Sequence, residues 1–293
     1  MEVLKKVAIV IPAYNAAESL PKTLESVFAQ TYPEIEVWVV NDGSTDGTSE
    51  ILEGFRKKAK GEGEGRRGRL VVIHQENCGC YQARLNALKQ IDAPYFTFAD
   101  ADDTVEPDWI EKMVAALERD NLDAVECNAD KNSTVRLLPS PSPFLEGRAL
   151  EKYKYEYLVD SKVACFVWNK LYRNQFDFST FELTDRNTNY EDLIFNLQFF
   201  RKIRRIGFLP ERLYHYETVA TSAVHNFGPR QKHDFKWMVK NHFRLCRALF
   251  PNGEYSAPKL WIGHCKWLLR NLRNVAIMIA KAQIGKWNSK KVE

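Results

Sequence analysis

The pattern that most restricts this chain is an alternation, sustained over its first 130 residues, of short apolar runs with amphipathic stretches. It predicts strands over residues 7–11, 36–40, 71–74, 95–99 and 124–128, and helices over residues 18–30, 46–58, 81–90 and 107–119. A βαβα order of this kind implies a mostly parallel sheet flanked by helices. Pro107 opens the last helix at a first-turn position, where its missing N–H removes no intrahelical bond.

The remainder reads differently. Residues 60–69 (KGEGEGRRGR) contain four glycines and no apolar side chain, so they are expected to form a surface loop. Residues 132–143 carry three prolines with several Ser and Thr, which marks a boundary between two halves. From residue 149 helices dominate, interrupted by apolar pieces at 163–168 and 206–216. With 293 residues, 45% of them hydrophobic and 27% charged, the chain can bury a sizeable core and is neither collagenous nor wholly disordered. No apolar run approaches the roughly 18–20 residues of a membrane span. The N-terminus passes straight into a strand, so no export signal is expected, and six cysteines without a zinc-like spacing read as reduced thiols of a cytoplasmic protein.

In open α/β sheets ligands bind beyond the carboxyl ends of the strands. Here those ends are polar: Pro12, Ala13, Tyr14 and Asn15 after the first, residues 41–46 (NDGSTD) after the second, and Asp100, Ala101, Asp102 and Asp103 after the fourth. A plain turn with an N-cap at Thr45 or Asp46 accounts for residues 41–46 equally well. The acidic cluster is more specific, because three unpaired carboxylates at the edge of a core raise one another's pKa. A divalent cation removes that cost, and hard oxygen donors select Mg²⁺ or Mn²⁺ shared with substrate phosphates.

Four segments together, residues 9–15 (IVIPAYN), 39–48 (VVNDGSTDGT), 77–87 (NCGCYQARLNA) and 98–107 (FADADDTVEP), resemble family 2 glycosyltransferases with the GT-A fold. The likeness continues more weakly through 168–173 (WNKLYR), 190–195 (YEDLIF) and 213–216 (LYHY), like many bacterial envelope-polysaccharide enzymes. The resemblance implies a catalytic domain over 1–228, with a nucleotide-binding half to residue 130 and an acceptor half beyond it, followed by a basic helical region over 229–293. It implies a UDP-sugar donor, with Pro12, Ala13 and Tyr14 lining the nucleobase pocket, Asp42 accepting from the uracil imide and Arg84 beside the nucleotide. Asp100 would face the ribose or a metal-bound water, Ala101 would belong to the same nucleotide-sugar-binding segment, Asp102 would ligate Mn²⁺ or Mg²⁺, and His215 would approach the metal or a phosphate. Asp192 would be the general base of an inverting transfer to an acceptor hydroxyl, with Glu191, Trp168 and Asn169 on the acceptor side. The acceptor would be a saccharide or a lipid-linked saccharide. A metal-dependent nucleotidyltransferase is the nearest alternative, and a non-catalytic nucleotide-sugar-binding protein the next.

Charge is unevenly spread. Residues 1–229 hold 28 Lys and Arg against 35 Asp and Glu, whereas residues 230–293 hold 14 against 3. At 100° per residue, Lys259, Lys266, Arg270, Arg273 and Lys281 fall within an arc of about 80°, with Trp261, Leu268, Leu272 and Val275 among the apolar residues opposite. Such a helix either packs on the catalytic domain with its cations in water or lies on an anionic membrane at the cytoplasmic face. Its tryptophans and aliphatics suit a headgroup boundary better than nucleic acid, so no nucleic-acid partner is expected.

Overall fold

The computed structural model describes residues 4–60, 68–129, 143–159, 166–181, 190–217, 229–250 and 255–289. Most of the glycine-rich loop and of the proline-rich boundary, residues 61–67 and 132–142, lies outside the described residues.

The first four strands are β1 (Val7–Ala13), β2 (Ile35–Asp42), β3 (Arg69–Gln75) and β4 (Tyr95–Phe98), paired in parallel in the order β3-β2-β1-β4. β1 lies between β2 and β4, and its residues Val7 to Ile11 are fully buried. Both faces are covered, which is why the strand reads as a continuous apolar run rather than an alternating one. Helices α1 (Leu20–Phe28), α2 (Thr48–Lys60), α3 (Cys80–Leu88) and α4 (Trp109–Arg119) are interleaved with these strands. α1 buries Leu20, Thr23, Leu24, Val27 and Phe28, the i, i+3, i+4 spacing of one helical face, and carries its proline in the first turn.

The far side of the sheet is mixed. Strands β5 (Thr104–Val105), β6 (Ala124–Ala129), β7 (Phe144–Glu146), β8 (Lys170–Arg173) and β9 (Arg205–His215) extend it to β3-β2-β1-β4-β8-β6-β9-β5, with β7 also on β9. β8 runs antiparallel to both β4 and β6, pairing Leu171 with Thr97 and Val125, while β6 and β9 are parallel. β8 was not expected: four residues with a Lys at one end and an Arg at the other carry no readable period, and only the vacant edges of β4 and β6 define it.

Helix α5 (Gly147–Lys154) runs into a π-helical turn at Tyr155–Val159, and α6 (Glu191–Phe199) precedes β9. The C-terminal helices α7 (Pro229–Leu249) and α8 (Ala257–Ser289) pack on each other, α7 also on α6 and α8 on the π-helical turn. Among the described residues no helix is long and apolar enough to cross a membrane.

Candidate active site

β1 and β2 are in register from Val7↔Ile35 to Ala13↔Asn41, so the loops that leave them emerge side by side. Their polar residues stitch the two together. The Asn15 N–H donates to Ser44 Oγ (3.0 Å), the Thr45 N–H to Asn15 Oδ1 (2.8 Å), the Ala16 N–H to Thr48 Oγ1 (2.9 Å) and the Ala17 N–H to Asp46 Oδ2 (3.0 Å). Asp46 Oδ1 meanwhile accepts the Thr48 N–H (3.0 Å), a side-chain turn leading into α2, whose first backbone bond runs from the Ile51 N–H to the Gly47 carbonyl (3.2 Å). The N-cap expected at Thr45 or Asp46 thus falls one residue later, and Asp46 combines its turn with inter-loop bonding. Asn15 adopts φ +50°, a left-handed conformation that asparagine tolerates. Of the three residues expected around the nucleobase, Ala13 is buried, Pro12 half-buried, and Tyr14 stands 54% exposed at the loop surface.

Asp42, at the end of β2, is buried. Its Oδ1 accepts Gln75 Nε2 (2.7 Å) and the Cys78 N–H (2.8 Å), and its Oδ2 accepts the Gly79 N–H (2.8 Å). A carboxylate offers about four acceptor positions, so these three leave room for one more donor. The neighbouring turn tolerates only glycine: Gly43 has φ +73°, and a Cβ there would meet the backbone N of Asn77 at 2.7 Å.

The acidic turn after β4 is split by its surroundings. Asp103 is buried and accepts Tyr214 Oη–H (2.8 Å) and the Glu217 N–H (2.9 Å); burial, then the Asp100 charge, pushes its carboxyl up to about 8. Tyr214 Oη also accepts the Asp100 N–H (3.0 Å), so one phenol clamps both ends of the turn. Asp102 meets no donor side chain among the described residues, and burial followed by repulsion from Asp100 raises its pKa to about 6. An uncompensated, hard oxygen donor of this kind fits Mg²⁺ or Mn²⁺. Among the described residues no three His, Cys, Asp or Glu side chains gather closely enough to hold a metal alone, which suits a cation whose remaining ligands are diphosphate oxygens and water.

Arg84 lies at the centre. Helix α3 carries it, and the side chain is 2% exposed, with Nη2 2.6 Å from Asp100 Oδ1 and Nη1 2.9 Å from Asp192 Oδ1. The guanidinium stacks near the Phe98 ring, 5.6 Å from its centroid. It thereby joins the end of β4 to the first turn of α6, where Glu191 and Asp192 sit at the positive end of the helix dipole. Burial raises the Asp192 carboxyl to about 6 against the opposing pull of Arg84, and raises Glu191 to about 7, with Asp192 adding to the rise. A carboxylate with a pKa near 6 is mostly ionised at neutral pH and still basic enough to take a hydroxyl proton as it develops.

Three expected residues stand elsewhere. Trp168 is buried, stacked on Tyr214 at 4.3 Å between ring centroids, and Asn169 is buried, donating from Nδ2 to Glu126 Oε1 (3.1 Å) and the Cys127 carbonyl (3.2 Å). Both therefore support the site from beneath instead of lining an acceptor surface. His215 Nε2 is 2.7 Å from Glu106 Oε1, so that ring nitrogen is engaged by a carboxylate and is not offered to a cation. Two supporting residues were missed. Tyr214 is one, and Lys170 is the other: fully buried, it donates to Tyr157 Oη (2.8 Å), the Phe166 carbonyl (2.6 Å) and Asn169 Oδ1 (2.9 Å), sits 3.3 Å from Glu126, and its charge lowers the Asp192 pKa. A lysine amid apolar residues in the 168–173 motif was the available signal.

Known proteins resemble the chain in both sequence and fold. It is 32% identical over 254 residues to the uncharacterized glycosyltransferase EpsJ of Bacillus subtilis (strain 168), covering 83% of this chain and 72% of that one. Its fold is similar to S. aureus TarS 1–349 in complex with UDP-GlcNAc, with a TM-score of 0.63 at 19% identity over 87% of this chain and 69% of the other. A mannosyltransferase, PcManGT from Pyrobaculum calidifontis in complex with GDP-Man and Mn²⁺, gives 0.53 at 17% identity over 97% and 88%. Residues 8–180, more than half of the chain, match the model for Glycosyl transferase family 2, and the chain belongs to that family.

Proposed function

We propose that this GT-A glycosyltransferase moves a sugar from a UDP-sugar to an acceptor hydroxyl with inversion, as a cytoplasmic enzyme of cell-surface saccharide or glycolipid synthesis. The observation that carries the reading is the Arg84 bridge, which holds the strand-end carboxylate Asp100 and the helix-borne carboxylate Asp192 in one crevice. Donor chemistry and acceptor chemistry need those two ends together.

Each residue has a share. Tyr14 offers an exposed ring on which a nucleobase can stack, and Asp42 keeps one acceptor position for an imide N–H. Bound on Asp102, a Mn²⁺ or Mg²⁺ ion would neutralise charge on the departing diphosphate. Asp192 accepts the proton of the attacking hydroxyl, and Arg84 keeps enough of its carboxyl ionised to do so. Glu191 is placed one residue earlier in the same turn of α6, where it can bind acceptor hydroxyls. The TarS complex with UDP-GlcNAc supports a uridine donor; the PcManGT complex with GDP-Man makes a guanosine donor the direct competitor. A panel of UDP- and GDP-sugars, assayed for nucleotide release with Mn²⁺ and with Mg²⁺, decides between them. Release from a UDP-sugar alone is expected; release from GDP-mannose alone, or from none, would overturn the donor assignment.

A further inference from the structure

The segment between Phe235 and Arg273 contains eight Lys and Arg and a single acidic residue, Glu254. Its two helices do not hide their apolar side chains in the way a two-faced amphipathic helix would. α8 has three faces. Leu260, His264 and Trp267 are buried, and the ring of Trp267 lies 4.3 Å from that of His242 of α7. A second face, covering an arc of about 100° at 100° per residue, leaves Trp261, Ile262, Leu269 and Leu272 in water, 52%, 54%, 67% and 45% exposed. Beside it lies the basic face, where Lys266 and Arg273 are exposed and Arg270 is half-buried. The expectation of an apolar side opposite a basic side is thus corrected: packing on the domain uses a third set of residues.

α7 adds a second basic row. Lys236, Lys240, Arg244 and Arg247 are all exposed and share an arc of about 80° at the same period. Phe243, next to that row, meets Trp261 of α8 edge-on at 5.2 Å, so the exposed apolar ridge of α8 continues onto α7 beside its cations. A ridge of Trp, Ile and Leu bordered by seven cations, without a described carboxylate on either helix between Phe235 and Arg273, has one chemically matched occupant: the headgroup boundary of an anionic bilayer. Aliphatics and tryptophan enter the interface while Lys and Arg meet the phosphates. An acidic protein partner would match the cations but not the aliphatic ridge, and a second copy would set like charges against each other.

We infer that α7 and α8 form a peripheral docking surface that lays this protein on anionic lipid, with the ridge from Trp261 to Leu272 inserted. The opposite face of α8 reaches the catalytic half: Asn271 Oδ1 lies 3.4 Å from Tyr190 Oη, and Tyr190 immediately precedes Glu191 and Asp192. A bilayer under α8 therefore lies behind the turn that carries the proposed base, a placement suited to a lipid-linked acceptor. The surface itself does not depend on the transfer reading, because it is measured without donor or acceptor.

The test uses the full chain and sedimentation with vesicles of phosphatidylglycerol and phosphatidylcholine in equal parts, against phosphatidylcholine alone. Binding is expected only to the anionic vesicles, weakening with salt and accompanied by a blue shift of tryptophan emission. The triple variant K240Q/K266Q/R273Q should lose about 10²-fold in partitioning, at roughly fivefold per cation. Independently, L269S/L272S should weaken binding while leaving its salt dependence, and, since both residues already face water, the far-UV spectrum and thermal midpoint unchanged. Equal binding to neutral vesicles, no binding to either, or a concentration-dependent dimer abolished by L269S/L272S would overturn the inference, the last by assigning the ridge to a second copy.

Discussion

Replacing Arg84 with methionine tests whether the central guanidinium sets the protonation of the proposed base. The wild-type Asp192 carboxyl, with a pKa of about 6, is roughly ten parts ionised to one protonated at pH 7. Among the influences on it, Arg84 is the largest that lowers the value, ahead of Lys170. An arginine within contact distance typically depresses a carboxylate by about 1–3 units, so its loss should move Asp192 to about 7–9. The ionised fraction at pH 7 then falls to between a half and about a hundredth. Turnover at saturating donor should drop by about 2- to 100-fold at pH 7 and recover on the alkaline side, with the acidic limb of the kcat profile displaced upward by at least about one unit. Breaking a buried ion pair costs about 3–5 kcal/mol, here reduced because Asp100 and Asp192 are 28% and 23% exposed. Circular dichroism must therefore accompany the kinetics, and Arg84→Lys, which keeps a charge, should displace the limb less. A folded Arg84→Met enzyme with an unmoved limb would refute the reasoning and leave Arg84 a purely structural brace.

Three further outcomes are expected. Asp102→Ala should abolish turnover and remove the Mn²⁺-dependent part of UDP affinity in calorimetry; unchanged affinity with Mn²⁺ would count against Asp102 as ligand. Asp192→Asn should leave UDP-sugar binding nearly intact while transfer falls by at least ~10²-fold, the usual contribution of a positioned base, and near-wild-type transfer would send the search for the base to Glu191. His242, buried between His264 Nδ1 (3.1 Å) and the Leu158 carbonyl (3.4 Å), has its pKa lowered to about 3 by burial. A histidine neutral in the folded state but titrating near 6.5 when unfolded contributes stability that is complete above about pH 6.5 and lost as pH falls toward 3, by about 1.4 kcal/mol per unit. Denaturation of His242→Phe should show a shallower loss across that window, and an unchanged slope would remove the histidine from the account.

The parallel half of the fold was legible because strands buried on both faces leave continuous apolar runs, as residues 7–11 do, and because each is followed by a helix long enough to show its period. The antiparallel half was not. β5 has two residues and β8 four, and each exists because a neighbour, β9 or β4 and β6, leaves hydrogen-bonding groups that must be paired. The same division runs through the site. A strand-end cluster of carboxylates announces itself by type and position, so Asp100 and Asp102 could be singled out, whereas Asp42 and the Glu191–Asp192 pair at the start of α6 came only with the resemblance to family 2 glycosyltransferases. Burial could not be read: Trp168 and Asn169 sit in a motif that belongs to the site, yet only the sheet shows that their side chains point beneath it. Arg84 was placed beside the nucleotide, but its bridge to α6 depends on a helix more than 100 residues away.

The three aspartates of the acidic turn show how one short segment can hold carboxylates in distinct electrostatic states. The Asp103 N–H returns to the Asp100 carbonyl at 3.2 Å, closing a tight turn directly after β4. Closure of that turn accompanies an inward Asp103 and an Asp102 without a donor. Inside, burial holds Asp103 up to about 8, so near neutrality it is mostly protonated and adds little to the repulsion. Asp100 is matched by Arg84. Only Asp102 is left with negative charge that no described side chain answers, and burial, followed by repulsion from Asp100, holds its pKa up to about 6. A turn carrying three equally solvated carboxylates would bind a cation weakly at any of several places. Neutralising one by burial and another by an ion pair confines the unmet charge to Asp102, so that on the proposed reading a divalent ion would be directed to that one carboxylate without a second protein ligand.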